Sequence, residues 1–381
     1  MTHATHSVET SQWLCEPLSP DVAESLERIA ASDDVQRVAV MPDVHVAGDV
    51  CNGTVVATRE LIYPGAVGGD IGCGMVAIAF DAEADLLADD LTAARILAQL
   101  YQRIPANKQS RAMLPERLPS ALADLPLSHP RLEKLQSRDG LFQLGTLGRG
   151  NHFVELQSDS AGRLWLMVHS GSRGMGQAIT AAHVAQSVKS RTGLSLLEAT
   201  GSTGQDYLND MAWALKYAAE NRLAMVRAVE VVLRQVAEVS ADWSSLIHGH
   251  HNHVRRESHF DQEWWVHRKG ALPANEGELG VIPGSMGTRS YHVAGRGAAA
   301  ALRSSSHGAG RSRARHLARQ GISRRELERQ MNSVRFDHRR AEVLRDEAPS
   351  AYKDIGRVMR AQHELTRIVR ELRPLLVYKG T

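Results

Sequence analysis

Asp70-Ile71-Gly72-Cys73-Gly74 sets a carboxylate and a thiol three residues apart, with Gly68 and Gly69 just ahead. Glycines at this density let the backbone turn sharply and approach a ligand closely. A thiolate is a soft metal ligand that can bridge two ions, and an aspartate adds a hard oxygen donor. Alone, the pentapeptide reads equally well as a turn around an inert buried cysteine. Histidines elsewhere decide between the two. His152 follows Asn151 and precedes Glu155 in the glycine-rich 145–155 stretch; His169 leads Ser170-Gly171-Ser172-Arg173-Gly174. His248, His250, His251 and His253 crowd into six residues. Each histidine singly is better read as a hydrogen-bonded structural residue. One thiol, one carboxylate and several imidazoles in glycine-rich loops together indicate a transition-metal site. Imidazole and thiolate suit Zn or Fe as well as Mn, and only the oxygen donors lean towards Mn. Asp43 and His45 share a face of an extended run and, as a lone pair, read as structural.

Two further loops, 282–291 and 304–311, have the Gly/Ser character of segments whose N–H groups and hydroxyls cradle phosphate oxygens. Arg173 and Arg311 suit the same task. Neither a Walker A sequence nor a G-x-G-x-x-G opening a helix is present. Metal beside phosphate implies phosphoryl or nucleotidyl transfer, in which metal ions offset charge on phosphate oxygens.

The elements that must hold these residues are legible from periodicity. Extended runs are expected at 35–41, 54–58, 75–80, 164–168, 264–268 and 375–378, giving a sheet-rich core. Helical patterns cover 22–31, 86–104, 207–239 and 351–372, and the strongly basic 311–345 stretch also reads as helical. Within 207–239 an apolar stripe through Leu208, Met211, Leu215, Ala219, Leu223, Val226 and Leu233 assigns the segment to scaffolding. Residues 1–34 read as a lead-in, and 105–130, with Lys108, Arg111 and Arg117, as a mobile basic loop.

The 381 residues, 43% hydrophobic and with 31 glycines, suffice for a large core with many tight turns. A net charge of +2 means that any affinity for nucleic acid must come from a local patch. Three scattered cysteines make no disulfide framework, and neither the N-terminus nor any later stretch has the apolar run of a signal or a membrane span. A soluble, cytoplasmic protein without membrane partners is expected.

The motifs, taken in order, resemble the RtcB-type RNA ligases from about Val38 to Gly380. The resemblance is carried by Met41-Pro42-Asp43-Val44-His45, the central pentapeptide, Gly150-Asn151-His152-Phe153 and the segment that follows His169. It continues through His251-Asn252, Arg268-Lys269-Gly270-Ala271, Pro283-Gly284-Ser285-Met286-Gly287, Ser306-His307-Gly308-Ala309-Gly310-Arg311 and Tyr352-Lys353-Asp354. It implies one α/β catalytic domain spanning 1–381, its sheet-rich core surrounded by helices. It also implies joining of RNA 3′-phosphate or 2′,3′-cyclic phosphate ends to 5′-hydroxyl ends with GTP and two Mn²⁺ ions. The implied metal ligands are Asp70, Cys73, His152, His169 and His251, with Cys73 shared. His307 is the implied nucleophile, forming a histidine–GMP adduct that passes GMP to the RNA 3′ end. Glu155 and Lys379 are the implied guanine readers, helped by Tyr352 and Ser290. Asn151 is implied to hold phosphate oxygens, and Arg173 the RNA 3′-phosphate.

An archease-like activator and a role in tRNA splicing or RNA repair belong to the same set of expectations. Two departures stand out. Residues 46–52 carry Cys51 where the family has a more glycine-rich loop, and 104–111 lacks the family's glycine-rich basic loop, which suggests a repair paralogue. The rival readings are a metal-dependent RNA phosphohydrolase or cyclic phosphodiesterase, which needs neither His307 nor Lys379, and a non-catalytic RNA-binding paralogue, which would have lost a ligand or the nucleophile. All of these residues are present.

Overall fold

Valine-rich runs bounded by glycine turns form the two largest sheets, whose junction carries the candidate site residues. In a computed structural model, which describes residues 8–114 and 116–380, the first sheet has five strands. Their order is Glu9–Gln12, Val35–His45, Asn52–Thr58, Gln262–Lys269 and Asn252–His259, antiparallel except for the first pair. The second sheet has seven, all antiparallel: Ala241–His250, Gly74–Glu83, Arg163–Ser170, Phe153–Asp159, Thr366–Lys379, Ser290–Gly295 and Leu279–Ile282. The fold is mixed α/β with a sheet-rich core, as expected. The leading Met1–Thr5 stretch, read above for a signal segment, lies outside the described residues.

Burial on both faces explains why the central strands read as continuous apolar runs. Val76, Ile78 and Phe80 of one strand, with Leu164, Leu166 and Val168 of its neighbour, pack against Val226, Val229 and Leu233 of the 36-residue helix Ser202–Ala237. That helix ends where Glu238 takes a left-handed conformation, its N–H returning to the Arg234 carbonyl and the Val239 N–H to that of Leu233. The helix Asp90–Arg103 closes the same core through Ala93, Ile96 and Leu100 and starts later than its pattern suggested, because Asp89 caps it by accepting from the Thr92 N–H. Among the described residues no helix is long and apolar enough to cross a membrane.

Several segments differ from their sequence patterns. The 351–372 stretch is not one helix. Only Ile355–Ala361 is helical, and Thr366–Lys379 is a fourteen-residue strand in the middle of the large sheet. Pro374 in it lacks an N–H, and the register with the Phe153–Asp159 strand shifts there. The basic 311–345 run is broken into short helices, Arg315–Gly321 and Arg324–Gln330, followed by single turns. Of the 1–34 lead-in, the described residues 8–34 join the first sheet through Glu9–Gln12 and the helix Pro20–Ala30, which packs Val22, Leu26 and Ile29 on the sheet. The second half of 105–130 is anchored: Leu118, Leu122 and Leu127 are buried, Trp213 donates to the Leu122 carbonyl at 3.0 Å, and Ser128 donates to Asp210 at 2.6 Å.

Candidate active site

Cys73 sits where the glycine-rich turn becomes the Gly74–Glu83 strand, and its carbonyl accepts the His251 N–H at 2.8 Å. That bond delivers His251, at the junction of the two sheets, to the pentapeptide. His169 arrives from the end of the Arg163–Ser170 strand and His152 from the loop before Phe153–Asp159. The donor atoms converge. Cys73 Sγ lies 3.2 Å from His169 Nε2 and 3.5 Å from His152 Nε2. His152 Nε2 is 3.0 Å from Asp70 Oδ2, and His169 Nε2 is 3.4 Å from His251 Nε2. Two groups that could each hold a metal ion result, Asp70–Cys73–His152 and Cys73–His169–His251, with Cys73 common to both.

The surroundings fit cation binding. His152 Nδ1 donates to the Leu147 carbonyl at 3.0 Å and His169 Nδ1 to the Asn151 carbonyl at 3.2 Å, so each presents a bare Nε2 to the cluster. Burial holds His169 and His251 well below the usual imidazole range, which keeps them neutral donors. Burial and the neighbouring Asp70 push the Cys73 thiol well up, so a thiolate at this depth calls for a cation beside it.

The long helix does more than scaffold, and its buried face is offset from the expected stripe. Tyr207, Ala214, Ala218, Asn221, Arg222 and Met225 face inwards with Met211, Val226 and Leu233 of the expected stripe, whereas its Leu208, Leu215, Ala219 and Leu223 are only partly covered. Arg222, fully buried and lowered by that burial to about 10, donates to the carbonyls of Gly72 (2.9 Å) and Ser170 (2.7 Å). It also takes up His248 and His250, which are therefore turned from the cluster. Asn221 accepts from the Gly145 N–H at 2.7 Å and donates to the Thr146 and Gly171 carbonyls. These two side chains tie all three glycine-rich turns together. Sequence reasoning missed them, although two polar residues phased with the inward alanines were the available signal. His253 is buried outside the cluster with neither ring nitrogen bonded.

A cavity of about 770 Å³ opens beside this cluster. His169 and His307 line it together with Asn151, Glu155, Ser290, Tyr352 and Lys379, so the structure brings those sequence candidates to one place. The His307 ring is 4.7 Å from that of His251. Its Nδ1 lies 2.7 Å from Asp43 Oδ2, an ion-pair contact off the aligned hydrogen-bond direction, and the same oxygen accepts the His307 and Gly308 N–H groups at 3.1 and 3.3 Å. Asp43, read as structural from sequence, thus positions His307. Gly310, at φ +71°, allows the loop to lie against the Asp43 backbone; a Cβ there would sit 2.2 Å from the Asp43 carbonyl oxygen. Glu155 is buried and accepts from Gln157 at 2.6 Å. Burial raises it to about 8 against the pull of Gln157 and Lys379. The Lys379 ammonium is paired with Glu347, a residue that sequence reasoning also missed. Ser290 Oγ accepts the Gly284 N–H at 3.3 Å, fixing the 283–286 loop on the cavity wall.

Arg173 is not among the lining residues. Its guanidinium packs over Gly148 and donates to Thr146 Oγ1 and the Ala106 carbonyl, both at 3.2 Å, leaving Nη1 without a hydrogen bond among the described residues. Cys51 lies in an apolar cluster with Val22, Val44 and Val50, apart from the two metal groups. Lys269 holds the loop around it by donating to the Ala47 and Val50 carbonyls at 2.6 Å.

A buried thiol–imidazole–carboxylate cluster beside a cavity walled by Arg311, Arg315 and a positioned histidine has the make-up of a metal-assisted phosphoryl-transfer centre. Comparison with known proteins gives the family. A family model described as tRNA-splicing ligase RtcB matches residues 25–129 and 124–380, and the chain belongs to the RtcB family. It is 35% identical over 399 residues to the RNA-splicing ligase RtcB of Escherichia coli K12, covering 96% of this chain and 95% of that one. It is 31% identical to the RNA-splicing ligase RtcB of Mycobacterium tuberculosis (89% and 96% covered) and 26% identical to the tRNA-splicing ligase RtcB of Methanococcus maripaludis (98% and 94% covered).

Proposed function

We propose that this protein is an RNA ligase that uses GTP to join RNA 3′-phosphate or 2′,3′-cyclic phosphate ends to 5′-hydroxyl ends. One observation carries the reading: His307, positioned by Asp43 and with its ring 4.7 Å from that of His251, lines the same cavity as Glu155 and Lys379. Family membership and relatives named as RNA-splicing ligases support it.

With Nδ1 facing Asp43, His307 offers Nε2 as nucleophile. Nε2 attacks the α-phosphorus of GTP; a P–N bond forms and pyrophosphate leaves with the electrons of the broken P–O bond. An RNA 3′-phosphate oxygen then attacks the same phosphorus, the P–N bond breaks, and the imidazole is regenerated. The 5′-hydroxyl finally attacks the 3′-phosphorus of the activated end, loses its proton, and expels GMP. A cyclic end is first opened by water. Two Mn²⁺ ions would be held by Asp70, Cys73 and His152 and by Cys73, His169 and His251, and would offset the charge of the phosphate oxygens. Ionised Glu155 accepts from guanine N1–H and N2–H₂, and Lys379 donates to O6, with Tyr352 and Ser290 alongside. Asn151 holds phosphate oxygens, and Arg173 presents Nη1 to the RNA 3′-phosphate. The physiological setting of the reading is the cytoplasm, in tRNA splicing or RNA repair, with an archease-like activator.

The test is labelling with radioactive GTP and Mn²⁺ followed by a denaturing gel. The unaltered protein should carry GMP and His307→Ala should not, while His307→Ala keeps its metals and still seals RNA bearing a preformed 3′-diphosphate-linked guanosine. Labelling of His307→Ala would move the nucleophile elsewhere and end the mechanism above.

A further inference from the structure

Glu347 has no role in the scheme above, yet four side chains converge on it. Lys379 and Arg315 pair with it closely, the Tyr352 hydroxyl donates at 2.7 Å, and Arg311 donates at 3.2 Å. All four line the cavity, whereas Glu347 lies behind them, 2% exposed. The Lys379 ammonium therefore has two carboxylates within its influence. Glu347 holds it; Glu155 feels its charge but shares no hydrogen bond with it among the described contacts. Burial alone would raise Glu347, but Lys379 and Arg315 bring it down to about 2, so it stays charged.

We propose that Glu347 is a positioning residue for base recognition, holding the Lys379 ammonium off Glu155 so that Glu155 stays free to accept from a guanine. This rests on the reading that the cavity takes GTP. A lysine ammonium rides on a flexible four-carbon stem and pairs with whichever carboxylate is in reach. With Glu347 neutralised, the remaining partner is Glu155. A buried ion pair there would occupy the oxygens that N1–H and N2–H₂ need, and the base would have to break it. Glu347 then sets specificity without touching the nucleotide.

Equilibrium binding of GMP and AMP to the metal-loaded protein tests this, since neither nucleotide can transfer a group to His307. The unaltered protein should prefer GMP. Glu347→Gln should lose about tenfold or more in GMP affinity, the scale of a hydrogen bond to a charged group, with AMP nearly unchanged. Lys379→Met removes the O6 donor and the competitor for Glu155 together, so adding Glu347→Gln to Lys379→Met should cost GMP little more. Equal loss for GMP and AMP, or a further tenfold loss of GMP affinity when Glu347→Gln is added to Lys379→Met, would mean a merely structural role and overturn the inference. A GMP preference unchanged in Glu347→Gln would overturn it too and leave the guanine reading intact. Equal binding of GMP and AMP by the unaltered protein would overturn the guanine reading, and the inference with it. If circular dichroism shows Glu347→Gln unfolded, Glu347→Asp serves. It keeps the charge but withdraws it by a methylene, for an expected loss of about threefold in GMP affinity alone; no loss would count against the proposal.

Discussion

In the proposed reading, Glu155 ties base recognition to pH. Burial is the dominant influence and raises it to about 8, so below that value the group is mostly a neutral acid. Guanine offers donors at N1 and N2, and only the carboxylate can accept both. Binding must therefore release a proton below about pH 8. GMP affinity should rise close to tenfold per pH unit up to there and level off above. Titrations at several pH values check this, and Glu155→Gln should remove both the slope and the preference for guanine. Arg173 supports a different prediction. Its φ of 59° and ψ of −147° fall in a region that side chains other than glycine rarely occupy. Such strain costs on the order of 1–3 kcal/mol, and it holds the guanidinium over Gly148. Arg173→Gly and Arg173→Ala should both lose selectivity for 3′-phosphate RNA, but the glycine variant should melt at the higher temperature. At this scale the sequence shows which residues can ligate or attack, because donor chemistry is intrinsic to residue type. It does not show which residue positions which. Asp43 could not be paired with His307 across 264 positions, and Glu347 is one acid at the end of an arginine-rich run.

Elements carry the next level of control, chiefly the Ser202–Ala237 helix. Its period was legible because apolar residues recur mostly every three or four positions from Leu208 to Leu233. Its functional side was not, since Asn221 and Arg222 act through backbone carbonyls, which have no sequence signature. Arg222→Met should take the charged donor from the Gly72 and Ser170 carbonyls, leaving His250 Nδ1 at 3.0 Å as the side-chain partner of Gly72, at a cost of roughly 1–3 kcal/mol. Those carbonyls belong to the turns that present Cys73 and His169. We therefore expect Arg222→Met to bind metal more weakly while keeping its helical circular dichroism. Elemental analysis after dialysis checks this, and native stoichiometry and affinity would show that the turns hold themselves. The 351–372 stretch shows the opposite failure of legibility. Its 364–370 part holds Thr366, Ile368 and Val369, and pairing with Ser290–Gly295 and Phe153–Asp159 overrides a helical spacing.

At the scale of the whole molecule, the two largest sheets meet at the candidate metal ligands. His250 pairs with Gly74 in the large sheet, Asn252 with Lys269 in the small one, and His251 stands between them. Asn252 adds polar links, donating to the Asp70 carbonyl and accepting the Gly270 N–H. No local pattern announces this junction, because it joins strands far apart in the chain. A cation bound by Cys73, His169 and His251 would staple the sheets, and metal affinity then contributes to fold stability. At a free Mn²⁺ concentration 100 times the dissociation constant, one site should add about 2.7 kcal/mol. Chelation should lower the melting temperature accordingly. Amide exchange should rise at 70–74, 147–152, 169–173 and 250–253, while the strands packed on the long helix stay protected. The shared thiolate gives the sharper test. Cys73→Ala removes a ligand common to both groups and should lose both ions, whereas His251→Ala should weaken mainly one. Elemental analysis finding two full equivalents in Cys73→Ala would rule out a bridging thiolate. A melting temperature indifferent to chelation would place the strength of the junction in Asn252 and the backbone pairs instead.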